Sequence, residues 1–257
     1  MANELAEKKT FSVAITDKLT SISDALPKDF NSARFVQNAL ALVNDNPSLQ
    51  KYSQTQLMAG LMKGAVLGLD FYSKECYLIP YGDQLNYQTD YKGSMKLAKK
   101  YSIRPIKDIY SEVVREGDEF GIDIIGNERK VTFKPVPFNS KPVIGAFAVA
   151  QFEDGGILTE TMSLAELENT RKHSKASNSM AWKDFTTEMY RKTVIRRLCK
   201  KIEIDFENPT QRQYFEEDTA IETDIVEASK NEIKANANSV DFDEEVDGTE
   251  LPPFMNE

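Results

Sequence analysis

Val143-Ile-Gly-Ala-Phe-Ala-Val-Ala-Gln-Phe152 is a strand-like run, and Ile157-Leu-Thr-Glu-Thr-Met162 is another. Between them Asp154-Gly-Gly156 supplies residues that tolerate the backbone angles of a tight turn. The same pattern recurs upstream. Runs at Ile103–Arg115, Phe120–Ile124 and Lys130–Phe133 are punctuated by Glu116-Gly-Asp118 and Gly126-Asn127. Further upstream, Cys76–Pro80 and Gln84–Gln88 flank Tyr81-Gly-Asp83, which reads as a hairpin. Sequential short strands with short turns predict an antiparallel meander rather than parallel strands joined by helical crossovers.

Helical patterns flank this middle. Phe35, Ala39, Leu42 and Val43 recur at helical spacing after a cap at Asn31 or Ser32. Ser53 and Gln56 form a capping-box pair ahead of Leu57, Leu61 and Val66, and Gly68 suits a left-handed stop. A short helix is expected over Tyr91–Tyr101, another from Ser163 with Glu166 as its capping partner, and a long one over Trp182–Lys201. The fold class is therefore α+β, a central antiparallel β-sheet or meander flanked by helices. No repeat at solenoid or propeller period is present.

The chain has 257 residues, of which 40% are apolar, 10% aromatic and 28% charged, a composition that excludes a wholly disordered protein. No apolar run approaches the roughly 18–20 residues of a membrane span, and polar Met1–Thr10 lacks a signal-peptide core. Two cysteines, Cys76 and Cys199, make no disulfide framework, so a reducing cytosolic setting is expected.

The net charge of −9 conceals a division. Residues 206–257 hold 15 acidic and 3 basic residues, while 1–205 hold 29 basic and 26 acidic. This predicts a polyanion-binding core over 1–205 and an acidic, partly disordered tail over 206–257 that suits partner binding. Within the core a helical part spans about 29–68, a β-rich part about 75–162 and a basic helical part about 163–201. After Pro209 one acidic helix is expected, and beyond Ala235 the composition reads as disorder.

Positive charge concentrates in Lys92–Lys107, with six basic residues and no acid, and in Arg171–Lys201, with ten basic against two acidic. At 100° per residue Val194, Ile195, Leu198 and Ile202 share one face of the last helix, and Lys192, Arg196 and Lys200 form a stripe opposite, with Arg197 beside it. That stripe is about 12 Å long, enough for several phosphates at about 3.4 Å each. Such cations also complement a helix C-terminus without any ligand. On the Tyr91–Tyr101 helix, Lys92, Lys96, Lys99 and Lys100 oppose Tyr91, Met95, Leu97, Ala98 and Tyr101. Tyr77, Tyr81, Tyr87, Tyr91 and Trp182 are interleaved with this charge and offer base-stacking surfaces, although a tyrosine in a hairpin more often packs on the core with its hydroxyl at the rim.

Catalytic signals are sparse. No phosphate-binding Gly-x-x-x-x-Gly-Lys-Ser/Thr motif is present, and His173 is the only histidine. Glu116, Asp118, Glu119 and Asp123 leave a metal-dependent nuclease open as an alternative, and a protein-interaction scaffold is a third reading. No catalytic residue, metal ligand or cofactor is assigned.

Glu75-Cys-Tyr-Leu-Ile-Pro-Tyr-Gly82 followed by Tyr91-Lys-Gly93 resembles the RecT family of phage and prophage single-strand annealing proteins. So do Ala41-Leu-Val-Asn-Asp-Asn-Pro-Ser-Leu49 and Gly68-Leu-Asp70 upstream. Downstream, Met162-Ser163, Arg171 with Ser174, Trp182, Glu188-Met189 and Lys192-Thr-Val-Ile-Arg-Arg-Leu198 continue the likeness in order. Together they cover about Ala41–Lys201. Asp90 stands where many relatives carry glycine, and the segment after Lys201 matches less closely. The resemblance implies ATP-independent annealing of complementary strands in recombination by a protein that oligomerises, as a ring or helical filament, on single-stranded DNA and holds the annealed duplex. It implies as partners a phage exonuclease of RecE type and a host single-strand-binding protein, in the cytoplasm of a bacterial host. Backbone contacts fall to Lys92, Lys96, Arg171, Lys172, Lys192, Arg196, Arg197 and Lys200, with Tyr91, Ser174 and Trp182 positioning or packing beside DNA.

Overall fold

The computed structural model describes residues 2–126, 128–174 and 177–217, with side chains from residue 10 and without those of 125 and 128. All of these lie in one compact unit, Met1–Ile221; the second unit, Glu222–Glu257, lies outside the described residues. Among the described residues no helix is long and apolar enough to cross a membrane.

Four helices open the chain: α1 (Ala2–Ser21), α2 (Ser32–Asp45), the short α3 (Pro47–Gln50) and α4 (Gln54–Leu67), with a 3-10 turn at Ser23–Ala25. Their ends follow local chemistry. The Asn31 side chain accepts from Arg34 N at the start of α2. Ser53 and Gln56 cap α4 reciprocally, and Gly68, at φ +67°, ends it. The first 30 residues, whose packing the sequence leaves open, send Phe11, Ile15 and Leu19 of α1 into a core shared with α2 and α4.

β1 (Cys76–Tyr81) and β2 (Gln84–Thr89) form the expected hairpin, turning at Gly82 with φ +59°. α5 (Tyr91–Tyr101) follows immediately, with the Asp90 side chain capping it by accepting from Lys92 N. Gly93 is confined by contact rather than by dihedral. A Cβ there would collide with the Glu75 carbonyl oxygen and lie 2.8 Å from Thr89 Cγ2. The Tyr91-Lys-Gly93 run thus marks where α5 is pressed against the hairpin.

The sheet departs from a single meander. β3 (Ile106–Arg115), β6 (Val143–Phe152) and β7 (Ile157–Ser163) form one antiparallel sheet in the order β3–β6–β7, and β4 (Glu119–Ile125) and β5 (Glu128–Lys134) form a separate hairpin inserted between β3 and β6. The hairpin lies on one face of that sheet, where Phe120, Val131 and Phe133 pack on Val114, Phe147 and Val149. On the other face β6 presents Ala146, Ala148 and Ala150. Three small side chains in a row admit a helix closely, and α8 (Thr186–Cys199) takes the place, inserting Val194, Ile195 and Leu198.

α6 (Leu164–His173) begins with the Ser163–Glu166 capping box. The expected long helix is divided into α7 (Met180–Asp184) and α8, because Phe185 leaves helical geometry at φ −124° and ψ 38°. There the Thr186 hydroxyl donates to Trp182 O at 2.8 Å, a local alternative to uninterrupted helix.

Acidic residues 206–217, assigned by charge to the tail, belong to the folded body. Phe206, Tyr214 and Phe215 pack on the N-terminal core, and Gln211 is fully buried. The Gln211 amide donates to Val66 O at 3.1 Å and Tyr101 OH at 3.3 Å, and its oxygen accepts from Glu207 N. The disorder expected beyond Ala235 lies outside the described residues.

Gly93→Ala is expected to destabilise by about 1–3 kcal/mol through overpacking, read as a lowered midpoint in urea. Gln211→Ala, which orphans buried polar partners, should cost about 1–3 kcal/mol, whereas Arg212→Ala on the neighbouring exposed position should stay within about 0.5 kcal/mol.

Candidate nucleic-acid interface

The two basic helices meet. α5 packs directly against α8, and the Lys192 ammonium sits 5.3 Å from the centroid of the Tyr91 ring. Lys92 is exposed at the start of α5, one residue on. Among the described residues neither Lys92 nor Lys192 has a carboxylate partner. From Lys192, Arg196 and Lys200 follow at successive turns of α8, reaching its C-cap.

Several other cations of these helices are paired with acids of the same fold. On α5, Lys96 donates to Glu75 at 2.7 Å and to Gly68 O at 3.0 Å. The same Glu75 oxygen accepts from Asp70 N, so Lys96 completes a local network. With Lys100 it lines a separate polar cleft beside Asp29, Arg34, Asn38 and Asp70. Lys99 pairs with Asp108 at 3.1 Å and Lys100 with Asp29, both in exposed settings. Pairs of that kind are worth about 0–1 kcal/mol, little enough for a phosphate to replace the carboxylate. Lys96 is the most strongly committed of the four.

On α8, Arg197 turns away from the Lys192 stripe. Its Nε meets the Glu160 carboxylate at 2.8 Å, and a terminal nitrogen meets Glu166 at 3.2 Å. Glu160 is 2% exposed and also accepts from Lys201. A carboxylate so buried needs its cations, so Arg197 and Lys201 are held to the sheet by the cost of leaving it unpaired. Arg191 is similarly divided between Glu112 and Glu188, each at 2.8 Å. The sequence signal for Glu160 is its register: it alternates with Leu158 and Met162 on the strand face that meets α8, and an acid there requires a cation opposite.

The α6 candidates form a second group. The Arg171 guanidinium lies 5.6 Å from the Trp182 ring and 3.5 Å from Glu168. Lys172 is exposed in the last turn, and Ser174 is the C-cap. Trp182 itself is 3% exposed and packs edge-on against Tyr190, so it supports this surface from beneath and has no open face for a base. Tyr190 donates to Glu168, and burial with that neighbouring carboxylate pushes its hydroxyl up to about 12. Of the tyrosines, Tyr87 is buried, while Tyr77, Tyr81 and Tyr91 are partly exposed.

Of the acids considered for a nuclease, Asp118 serves a turn and Glu119 pairs with Lys134 at 3.1 Å. Asp118 accepts from Arg115 N, Val136 N and the Asn139 amide, and those bonds, Val136 and Asn139 foremost, hold its carboxyl below the usual range. Asp123 lies opposite Lys130 across the hairpin. Among the described residues no three acidic, histidine or cysteine side chains gather to hold a metal. Cys199 is buried, which pushes its thiol up to about 12.

Residues 33–233 match the RecT family. The chain belongs to that family. It is 31% identical over 196 residues to Protein RecT of Escherichia coli (strain K12), spanning 72% of each chain. It is also 27% identical over 228 residues to the uncharacterized protein YqaK of Bacillus subtilis (strain 168), across 87% of this chain and 78% of that one. As a RecT family member it is a DNA-binding, single-strand annealing protein of recombination. The match runs past Lys201 into the acidic segment, where residues 206–217 are part of the fold.

Glu166 links the site to pH. Hydrogen bonds from the Ser163 backbone and hydroxyl, then the Arg197 guanidinium, hold its carboxyl below its ordinary value of 4.5. A lowered folded value means this stabilisation is complete above about pH 4.5 and is lost as pH falls through the folded pKa. Thermal midpoints recorded from pH 6 to 3 should therefore drop less in Glu166→Gln than in the unaltered protein.

Proposed function

We propose that the RecT family chain holds single-stranded DNA along the Lys192–Arg196–Lys200 stripe of α8 and the start of α5, and promotes pairing with a complement without nucleotide hydrolysis. The observation that carries this reading is the packing of α5 on α8, with Lys192 over Tyr91 and Lys92 beside it. Arginine grips phosphate through paired donors and lysine as a point charge, so the stripe recognises backbone and is indifferent to base identity. Two complementary strands repel each other through their phosphates. A cationic track lowers that repulsion, and stacking of the new duplex, about 1.4 kcal/mol per step, supplies the driving force without ATP. Successive subunits along the strand, as a ring or filament, add contacts cooperatively.

Lys172, with Arg171 and Ser174, extends the contact at the end of α6. Lys96 and Arg197 act in this reading chiefly by holding the helices that carry the stripe. The acidic residues beyond 217 serve as a docking segment for a protein partner, for which a 5′–3′ exonuclease of RecE type and a host single-strand-binding protein are the expected kinds.

Mixing protein with two complementary labelled oligonucleotides, without ATP, tests the activity: annealing of intact strands is expected. Shortening of the label in magnesium would indicate a nuclease instead, and neither pairing nor protection would indicate a scaffold. For the surface, Lys192→Ala with Arg196→Ala should reduce the dependence of log affinity on log salt by about 1.4, at about 0.7 per phosphate. Arg197→Ala should change that slope little while lowering the unfolding midpoint. An unaltered slope in a folded Lys192/Arg196 double variant would remove α8 as the contact surface.

A further inference from the structure

Phe185 is 60% exposed at the break between α7 and α8. A single exposed apolar side chain is ordinary; its setting is what carries meaning. The backbone around it is fixed: the Thr186 hydroxyl donates to Trp182 O at 2.8 Å, and Met189 N donates to Phe185 O at 3.0 Å. Trp182, three residues before, is buried at 3% exposure and anchors the segment from below. The phenyl ring is thus held in water by a rigid support.

Phe185 also stands seven residues before Lys192. Two helical turns bring position 185 within about 20° of Lys192 on the α8 projection and about 10.5 Å from it along the axis. The aromatic therefore heads the Lys192–Arg196–Lys200 stripe, separated from it by about three nucleotides at the ~3.4 Å rise of a stacked strand. Lys183 is exposed two residues before the ring, next to exposed Asp184, and Glu188, between the ring and Lys192, is paired with Arg191 at 2.8 Å. An exposed π-face in line with a phosphate track matches how proteins bind single strands without sequence preference: charge tracks the backbone and rings take bases.

We propose that Phe185 stacks on a nucleobase of the single strand whose phosphates follow α8. This rests on the reading of the stripe given above, and the test separates the two. The full-length protein and its Phe185→Ala and Phe185→Trp variants are titrated with an oligo-dT strand and with an abasic strand of equal length, at several salt concentrations. Phe185→Ala should lose about five- to 150-fold in affinity for oligo-dT, lose nothing on the abasic strand, and keep its salt slope. Phe185→Trp should retain affinity, and its emission should be quenched by oligo-dT but not by the abasic strand. Equal losses on both strands, or no loss on oligo-dT, would overturn the proposal. So would a loss that tracks impaired self-association measured by light scattering without DNA, which would assign the ring to a contact between copies. If Phe185→Ala loses only on oligo-dT while the Lys192/Arg196 variant keeps its salt slope, stacking stands and the phosphate reading fails.

Discussion

The close seating of α8 on β6 is the constraint from which the interface follows. Ala146, Ala148 and Ala150 leave room for the helix, and Val194, Ile195 and Leu198 fill it. Burial of those side chains sets the helix's distance from the sheet but only loosely its rotation, because apolar contact is not directional. Rotation is fixed by Glu160, a carboxylate in the same interface that must be met by Arg197 and Lys201. Once those two cations are turned to the sheet, helical geometry sends Lys192, Arg196 and Lys200 to another side. There α5 supplies Tyr91 and Lys92.

The charge on this surface is therefore selected rather than summed. Residues Arg171–Lys201 contain ten cations, yet several are tied to acids of the same fold, and their pairing costs or gains depend on burial. A pair with buried Glu160 is expensive to break, while Lys99–Asp108 and Lys100–Asp29 sit in solvent and exchange cheaply. An annealing protein needs a track of modest, replaceable contacts, since strands must be held, paired and released. In the reading proposed above, exposed Lys92 and Lys200 with half-buried Lys192 and Arg196, beside partly exposed Tyr91, meet that need better than a deep, fully desolvated site.

Much of the architecture was legible in local chemistry. Caps at Asn31, Ser53 and Ser163, the left-handed stop at Gly68 and the Gly82 turn all act over a few residues, and a linear pattern records such interactions directly. Less legible were features whose cause lies far along the chain. The β4–β5 hairpin folds onto a face of β6 instead of continuing the sheet, and Phe185 divides a helix that periodicity joins. Residues 206–217 look like tail by charge, but Phe206, Gln211 and Phe215 complete a core built from the first hundred residues. Trp182 and Phe185 show the same limit at side-chain scale: of the two roles open to the tryptophan, stacking surface or core packing, burial gives it the second, and the phenylalanine, which no pattern singles out, stands in water.

By itself, then, the order of residues determined an α+β chain with helices that start and stop at identifiable caps, two amphipathic basic helices, and a family likeness spread across most of the body. Tertiary structure alone decided which of the cations share a surface, because that choice depends on which acid from a distant strand or loop lies within a few ångströms of each. Periodicity places a lysine on the outside of a helix; only the packed neighbours determine whether that outside faces another carboxylate or solvent.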